Sequence, residues 1–246
     1  DMSRCACASW FSSHQASITE QIDVVDGCGW GACTVIDGAC IPDFDAVNQL
    51  IANRTGPEFR LYCELKTHLL DDTDAHARHL ANLFCTTLAT SPVRARTHVV
   101  SFDWRCLEHV HAAFPDLAIA HTTPPLFITD PDRDPETPLL GLRGQLRAAS
   151  AAGAKWLGKH DWRDQPGQTH GEKMLAAIAA AGGQHWFAFH QDVTPDNMAC
   201  ATRLKLSVSA WNVNELADME RLARLGVSAI ITDRPDLMRD LAEIQN

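Results

Sequence analysis

A regular alternation of short strands and amphipathic helices constrains this chain more than any other feature. Six runs of apolar, β-favouring residues begin near positions 60, 97, 117, 185, 206 and 227, and a helical pattern follows each of them. Such alternation is typical of parallel strands joined by right-handed crossover helices. Six units exceed most small doubly wound sheets and fall two short of an eight-stranded barrel, so residues 1–59 would have to supply the missing two.

The first forty residues are the least regular part of the chain. They offer only doubtful strands at Arg4–Phe11 and Ile22–Val25 and a turn-rich stretch at Gly27–Gly38, before a clear helical period at Pro42–Asn53. The length suits one α/β barrel of the TIM (β/α)8 type over residues 1–246, or two smaller domains. As one barrel, the chain should have an atypical segment over residues 1–40, and its first two βα units should be irregular or incomplete.

Composition excludes several classes of protein. The net charge of −10 and the pI near 5.6 argue against a nucleic-acid-binding surface. No apolar run approaches the about 20 residues of a membrane span, and no signal peptide is visible. The nine cysteines lack the paired spacing of a metal site, which favours free thiols in a reducing compartment and hence the cytoplasm.

The predicted strand Arg60–Lys66 ends in two opposite charges. Glu64 and Lys66 are two residues apart, so both side chains point to the same side of the strand. At the C-terminal end of a barrel strand, that side faces the mouth, where a carboxylate can hold a hard cation and an ammonium can meet a phosphate oxygen. On these residues alone, a surface ion pair is the simpler interpretation.

Further elements follow from local patterns. We predict that Asp74 and Thr194 are helix N-caps, with Pro195 at the first position of its helix. The proline-rich stretch Thr122–Thr137 predicts a long loop, and Lys155–Gly167 predicts an irregular one.

Six short motifs then occur in a fixed order over roughly 200 residues: Ile41–Pro42, Glu64–Lys66, Val100–Asp103, Asp192–Pro195, Ser209–Asn214 and Gly226–Asp236. In their order and spacing, these motifs resemble the glycerophosphodiester phosphodiesterases of the bacterial type, from about Ile41 to the C-terminus. Glu64–Leu65–Lys66 is similar to the E-[IL]-K strand end of that family, and Trp211–Asn214 is similar to its W-T-V-N.

The resemblance implies a TIM barrel whose site lies at the C-terminal ends of the strands. It also implies hydrolysis of a small-molecule glycerophosphodiester to an alcohol and glycerol 3-phosphate with Ca²⁺ or Mg²⁺, a reaction of lipid and glycerol metabolism. In that reaction Glu64 would be a metal ligand, and Lys66 would be the catalytic cation at the phosphate.

Trp211 and Phe102 are the candidate substrate-binding side chains. Each ends a predicted strand and could pack against the glycerol or alcohol moiety. Each could equally be part of the core at the barrel mouth, and for Phe102 the core is favoured. Asn214 and Asp233 are expected to cap the helices that follow them.

The chain departs from the family before Glu64. The family carries H-R-G, P-E-N-T, E-x-D and V-x-H-D there, which supply two acid–base histidines and two metal ligands. Gln21–Asp23 has the spacing of E-x-D, which makes Asp23 a weak candidate metal ligand, and Thr34–Asp37 is partly similar to V-x-H-D. Both similarities are short, and chance is the simpler explanation of each.

Other histidines are candidates for the missing acid–base groups. His68, His121 and His190 lie near predicted strand ends, although each is more readily interpreted as a loop residue. His160–Asp161 is a literal H-D pair, but it comes too late in the chain.

Two hypotheses therefore stand. The chain is an active metal-dependent phosphodiesterase, or it is a catalytically impaired fragment or pseudoenzyme barrel that acts as a binding module. From the missing motifs we expect residues 1–246, purified alone, to show little or no phosphodiesterase activity, so that Glu64→Ala changes little.

Overall fold

The computed structural model describes residues 42–135 and 138–237. The predictions for Asp1–Cys40, including the strands at Arg4–Phe11 and Ile22–Val25 and the candidate ligand Asp23, lie outside the described residues. The same holds for most of the helix predicted over Pro235–Ile244.

The described strands form one parallel sheet in which each strand pairs with the next along the chain, in the order β1-β2-β3-β4-β5-β6. This sequential parallel order with intervening helices is the arrangement of a TIM-type barrel, and the described residues supply six of its strands. The predicted fold class is confirmed. The strands are β1 (Leu61–Glu64), β2 (Thr97–Ser101), β3 (Ala118–Thr122), β4 (His185–Phe189), β5 (Ser207–Trp211) and β6 (Ala229–Ile230).

Helices follow the strands as the sequence periodicity predicts. They are α1 (Phe44–Arg54), α2 (Ala75–Ala89), α3 (Trp104–Ala113), α4 (Leu126–Thr129), α5 (Gly141–Ala151), α6 (His170–Ala180), α7 (Pro195–Arg203) and α8 (Leu216–Leu225).

One predicted cap is confirmed and the other is wrong. The Thr194 hydroxyl accepts from the Asn197 N–H at 3.2 Å, and Pro195 is the first residue of α7. Asp74 makes no capping bond to α2 because its backbone is not extended, with ψ of 5°. Its carboxylate instead pairs with His109 and Arg78.

The long connection between β3 and β4 contains more structure than predicted. The stretch Thr122–Thr137 was expected to be a loop, but it holds the short helix α4, and the buried Asp192 carboxylate accepts from the first N–H of that helix, at Leu126, at 2.9 Å. The stretch Lys155–Gly167 contains two 3-10 turns, at Lys155–Leu157 and Trp162–Asp164. A single helical turn is too short to show a hydrophobic period.

The two faces of the sheet carry different cores. Val99 belongs to the large core between the sheet and the helices, whereas its neighbour Val100 packs with Ala120 and Phe187 on the other face. Tyr62 and Trp211 pack against this second cluster. Since side chains alternate along a strand, Glu64 shares the inner face of the barrel with Tyr62.

Within the described ranges, no helix combines the length and the apolar character that crossing a bilayer requires. The four cysteines that these ranges describe, Cys63, Cys85, Cys106 and Cys200, are free thiols, as predicted. Burial raises the pKa of Cys63 to about 12, so this thiol stays protonated.

Two buried histidines, the partly buried His185 and one buried carboxyl with a raised pKa make stability depend on pH. Burial lowers the pKa of His121 to about 3 and the pKa values of His170 and His185 to about 4 each. Burial also raises the pKa of Asp192 to about 7. Between pH 6 and pH 5 the unfolded chain therefore binds nearly three protons, on these histidines, that the folded chain does not bind, while the folded chain keeps one proton, on Asp192, that the unfolded chain releases.

We therefore expect the free energy of unfolding to fall by about 2–3 kcal/mol as the pH drops from 6 to 5, because the net excess is about two protons on the unfolded chain. Urea midpoints at pH 7, 6 and 5 measure this loss. His185→Gln should reduce this loss of unfolding free energy by the contribution of one proton, because one of the three titrating histidines is then absent. Stability that rises on acidification would contradict these protonation states.

Candidate functional site

Glu64 and Lys66 lie together at the mouth of the barrel, where Glu64 is the last residue of β1 and Lys66 follows two residues later. The Lys66 Nζ donates to Glu64 Oε1 at 2.6 Å, and the two side chains remain 34% and 20% exposed for Lys66 and Glu64 respectively. Both residues line one cleft of about 240 Å³, together with Phe102. The Lys66 ammonium lies 6.0 Å from the centre of the Phe102 ring. Two opposite charges and an aromatic face thus share one partly solvated space.

Trp211 contacts Phe102 and belongs to a cluster of aromatic side chains that also includes Phe189. The rings of Trp211 and Phe102 meet edge to face, with centroids 5.5 Å apart, and Trp211 also packs on Phe189 at 5.3 Å. The indole N–H of Trp211 donates to the Phe187 carbonyl at 3.1 Å. The structure therefore brings Glu64, Lys66 and Phe102 into the cleft wall, while Trp211 reaches that group through Phe102.

A buried ion pair holds the loop that follows Lys66. The Asp103 carboxylate, fully buried, accepts two bonds from the Arg105 guanidinium at 2.8 and 2.9 Å and one from the Thr67 hydroxyl at 2.6 Å. Arg105 also donates to the backbone carbonyls of Asp71 and Thr73 at 2.9 and 3.1 Å. This network fixes residues 67–73 next to the cleft.

Asp103 and Arg105 were not singled out as site residues by the sequence. The available signal was an N-cap Asp followed two residues later by Arg, because Asp103 also accepts from the Arg105 N–H at 3.1 Å. What the sequence did not show is that the loop after β1 reaches this pair.

Among the candidate acid–base histidines, His68 lies in the wall of the cleft. Its ring lies 5.8 Å from that of His76, and the Nδ1 of His76 is 3.9 Å from the Asp71 carboxylate.

The other two candidates lie elsewhere. His121 is in β3, so its interpretation as a loop residue is wrong, and its ring is buried edge-on against Trp104. His190 lies in the 3-10 turn after β4, with its Nδ1 3.6 Å from the Asp218 carboxylate.

Asn214 joins two strand ends, so its predicted role as a helix cap is wrong. Its side-chain oxygen accepts from the Asp233 N–H at 2.9 Å and from the Thr232 hydroxyl at 3.1 Å, and its amide donates to the Asp233 carboxylate at 3.0 Å. Helix α8 begins after Glu215 without a side-chain cap. Asn214 therefore ties the residues after β5 to those after β6, at the same end of the barrel as Trp211.

The residues present were compared with the needs of a divalent cation. In the part of the chain that the structure describes, no group of three or more His, Cys, Asp or Glu side chains could hold a metal ion. Among the described residues of the cleft wall, Glu64 is the one carboxylate, and it is bonded to Lys66. The described residues therefore do not make a complete metal site, and further ligands would have to come from residues outside them.

Comparisons with known proteins identify the family of the chain. Residues 86–237 match the sequence model of the glycerophosphoryl diester phosphodiesterase family. This range begins after Glu64 and Lys66, so the match itself does not extend to the charged pair. A comparison with curated proteins found no match.

Solved structures show the same fold. A Silicibacter pomeroyi DSS-3 protein assigned as a glycerophosphoryl diester phosphodiesterase is 25% identical, with a TM-score of 0.61, and the match covers 85% of this chain. A glycerophosphodiester phosphodiesterase from Parabacteroides distasonis ATCC 8503 is 16% identical, with a TM-score of 0.50 and 76% of this chain covered. An Oleispira antarctica phosphodiesterase, solved in complex with the product sn-glycerol-3-phosphate, is 12% identical, with a TM-score of 0.54 and 82% covered.

The chain spans only part of the length of these proteins. The match covers 60% of the Silicibacter protein, 59% of the Parabacteroides protein and 62% of the Oleispira protein.

Proposed function

The chain belongs to the glycerophosphoryl diester phosphodiesterase family, and on that premise we propose that it hydrolyses glycerophosphodiesters to an alcohol and glycerol 3-phosphate. The observation that carries the proposal is the Glu64–Lys66 pair, which shares a cleft with Phe102 at the C-terminal ends of the strands. Barrel enzymes place their chemistry at this end.

Lys66 has the chemistry that a phosphodiester anion requires. Hydrolysis builds negative charge on the non-bridging oxygens, and a fixed ammonium stabilises that charge most strongly where water is partly excluded. Its flexible stem allows Lys66 to exchange the Glu64 carboxylate for a phosphate oxygen. Phe102, supported by Trp211, would then form an apolar surface under the glycerol or the alcohol.

We also propose Ca²⁺ or Mg²⁺ as the cofactor, with Glu64 as one hard oxygen ligand and the remaining ligands outside the described residues. Such an ion would offset charge on the phosphate oxygens. His68 is the imidazole of the cleft wall and therefore the described candidate for proton transfer to the leaving alcohol.

Binding without turnover is the second candidate function. It is favoured by the finding that the described residues provide no group of three metal-binding side chains. Release of glycerol 3-phosphate from glycerophosphocholine and glycerophosphoethanolamine, with and without Ca²⁺ or Mg²⁺, separates the two. Metal-stimulated release supports hydrolysis; saturable binding of both diesters without release supports the binding module.

Lys66→Ala is expected to weaken binding of glycerol 3-phosphate by about tenfold or more, because a hydrogen bond between charged groups contributes about 1.5–3 kcal/mol. Isothermal titration calorimetry measures the change. Lys155→Ala is the matched control, since Lys155 is an exposed lysine that pairs with the exposed Asp72 and should leave affinity unchanged. Equal affinity in the Lys66→Ala variant and the unmodified chain would remove Lys66 from the site.

A further inference from the structure

The cleft that holds Glu64 and Lys66 has an apolar side that the proposed reaction does not use. Five leucines line the cleft, of which Leu65 stands between Glu64 and Lys66 in the chain. We call the other four the leucine wall: Leu69 and Leu70 from the loop after β1, and Leu142 and Leu146 from α5. Leu142 and Leu146 are four residues apart and therefore lie on the same face of the helix. The β3–β4 connection thus brings a hydrophobic helix face to the charged pair.

Part of the leucine wall is open to solvent. Five large apolar side chains of the described ranges are exposed, and two of them, Leu142 at 62% and Leu70 at 38%, line this one cleft. A third, Leu140, is 79% exposed and lies two residues before Leu142. Scattered single leucines on a surface need no explanation, but a group of them beside a polar pocket is typical of a ligand-binding site.

We infer that the leucine wall binds the alkyl chain of an amphiphilic phosphodiester. The substrate class is then a glycerophosphodiester that carries an apolar chain, rather than a wholly polar diester. The cleft suits such a molecule, because one space of about 240 Å³ is lined both by the Glu64–Lys66 pair and by the leucines. This inference rests on the proposed function, since it assigns the phosphate to the Lys66 side.

A series of phosphodiesters that differ only in chain length tests the inference. Methyl-, butyl-, hexyl- and octyl-phosphocholine share one head group, and each is titrated into the 246-residue chain below its micelle-forming concentration, with calorimetry as the readout. Affinity should rise by roughly fourfold for each added methylene group that the wall buries. Phosphatidylcholine vesicles are titrated in parallel and should bind more weakly than octyl-phosphocholine monomers.

Two variants locate the chain-binding surface. Leu142→Asn should lower the affinity for octyl-phosphocholine by about tenfold and leave that for methyl-phosphocholine unchanged, because only the long chain reaches the wall. Leu50→Asn is the matched control: Leu50 is 50% exposed on α1, outside the cleft, and its replacement should change neither affinity. Both sites are exposed, so circular dichroism should show both variants folded.

The outcomes separate the inference from the function on which it rests. If methyl- and octyl-phosphocholine bind with equal affinity, the inference is overturned and the proposed function stands. If no member of the series binds but glycerophosphocholine does, the inference is overturned and the proposed function stands; if glycerophosphocholine does not bind either, both are overturned. If Leu142→Asn converts a dimer into a monomer in sedimentation while chain-length dependence is unchanged, a second copy of the chain covers the wall and the inference is overturned. Binding to vesicles alone overturns it as well.

Discussion

Replacing residues 1–40 with a segment that carries H-R-G, E-x-D and H-D in the family's order is expected to raise turnover of glycerophosphocholine by about 10²–10⁴-fold. The reason is that positioned general acids and bases typically contribute a factor of this size, and the first forty residues show neither expected histidine motif. Glycerol 3-phosphate release measures the gain. Glu64→Ala should then abolish activity in the chimera while it changes little in the original chain.

The matched control is the same chimera with both introduced histidines replaced by Gln, which should return turnover to the level of the original chain. Robust metal-dependent turnover by the original chain, lost in its Glu64→Ala variant, would show that residues 1–40 already contain the catalytic groups in an altered form.

Arg105→Ala is expected to lower the free energy of unfolding by about 3–5 kcal/mol. Removing one partner of a buried ion pair leaves the other charge uncompensated, and the Asp103 side chain is 0% exposed. The substitution also removes two donors from the carbonyls of Asp71 and Thr73, so the loop beside the cleft loses its anchor. Denaturant unfolding followed by tryptophan fluorescence measures the loss.

Arg163→Ala is the matched control for this substitution. Asp161 and Arg163 repeat the arrangement of Asp103 and Arg105, with an N-cap Asp bonded to the Arg two residues later, but their side chains are 20% and 45% exposed. An exposed pair of this kind contributes about 0–1 kcal/mol. Similar losses in the two variants would mean that burial does not strengthen the role of Arg105.

The elements of the fold could be predicted from the sequence because buried parallel strands are short continuous apolar runs, whereas amphipathic helices repeat their apolar residues every three to four positions. The apolar run Arg60–Lys66 predicted strand β1, and the pair Thr194–Pro195 predicted the start of α7. Helix α4 was not predicted, because its order depends on the Asp192 carboxylate, 66 residues away in the chain. The prediction of Asp74 as an N-cap was wrong because residue type only indicates a cap, whereas the backbone angles decide whether the capping bond forms.

Some residues of the candidate site could likewise be predicted from the sequence, and others depend on tertiary contacts. Glu64 and Lys66 could be placed together at the barrel mouth from strand alternation and motif order, whereas Phe102, for which the sequence favoured the core, lines the cleft in the structure. The leucine wall could not be predicted, since Leu142 and Leu146 come from a helix inside the long β3–β4 connection, whose docking depends on tertiary contacts. His68 was one of three equivalent candidates in the sequence, and only the path of the loop after β1 separates it from His121 and His190.

The sequential order of the strands also bears on how the sheet assembles. Strands β3 and β4 are joined through the longest connection in the sheet, and only two residue pairs are in register, His121 with Trp186 and Thr122 with Phe187, whereas β4 and β5 share five. Chain closure over a longer segment costs more entropy, and a short ladder returns less enthalpy. Strands β5 and β6 also share only two pairs, but a much shorter segment joins them. We therefore expect β3 and β4 to be the neighbouring strands that pair last during folding.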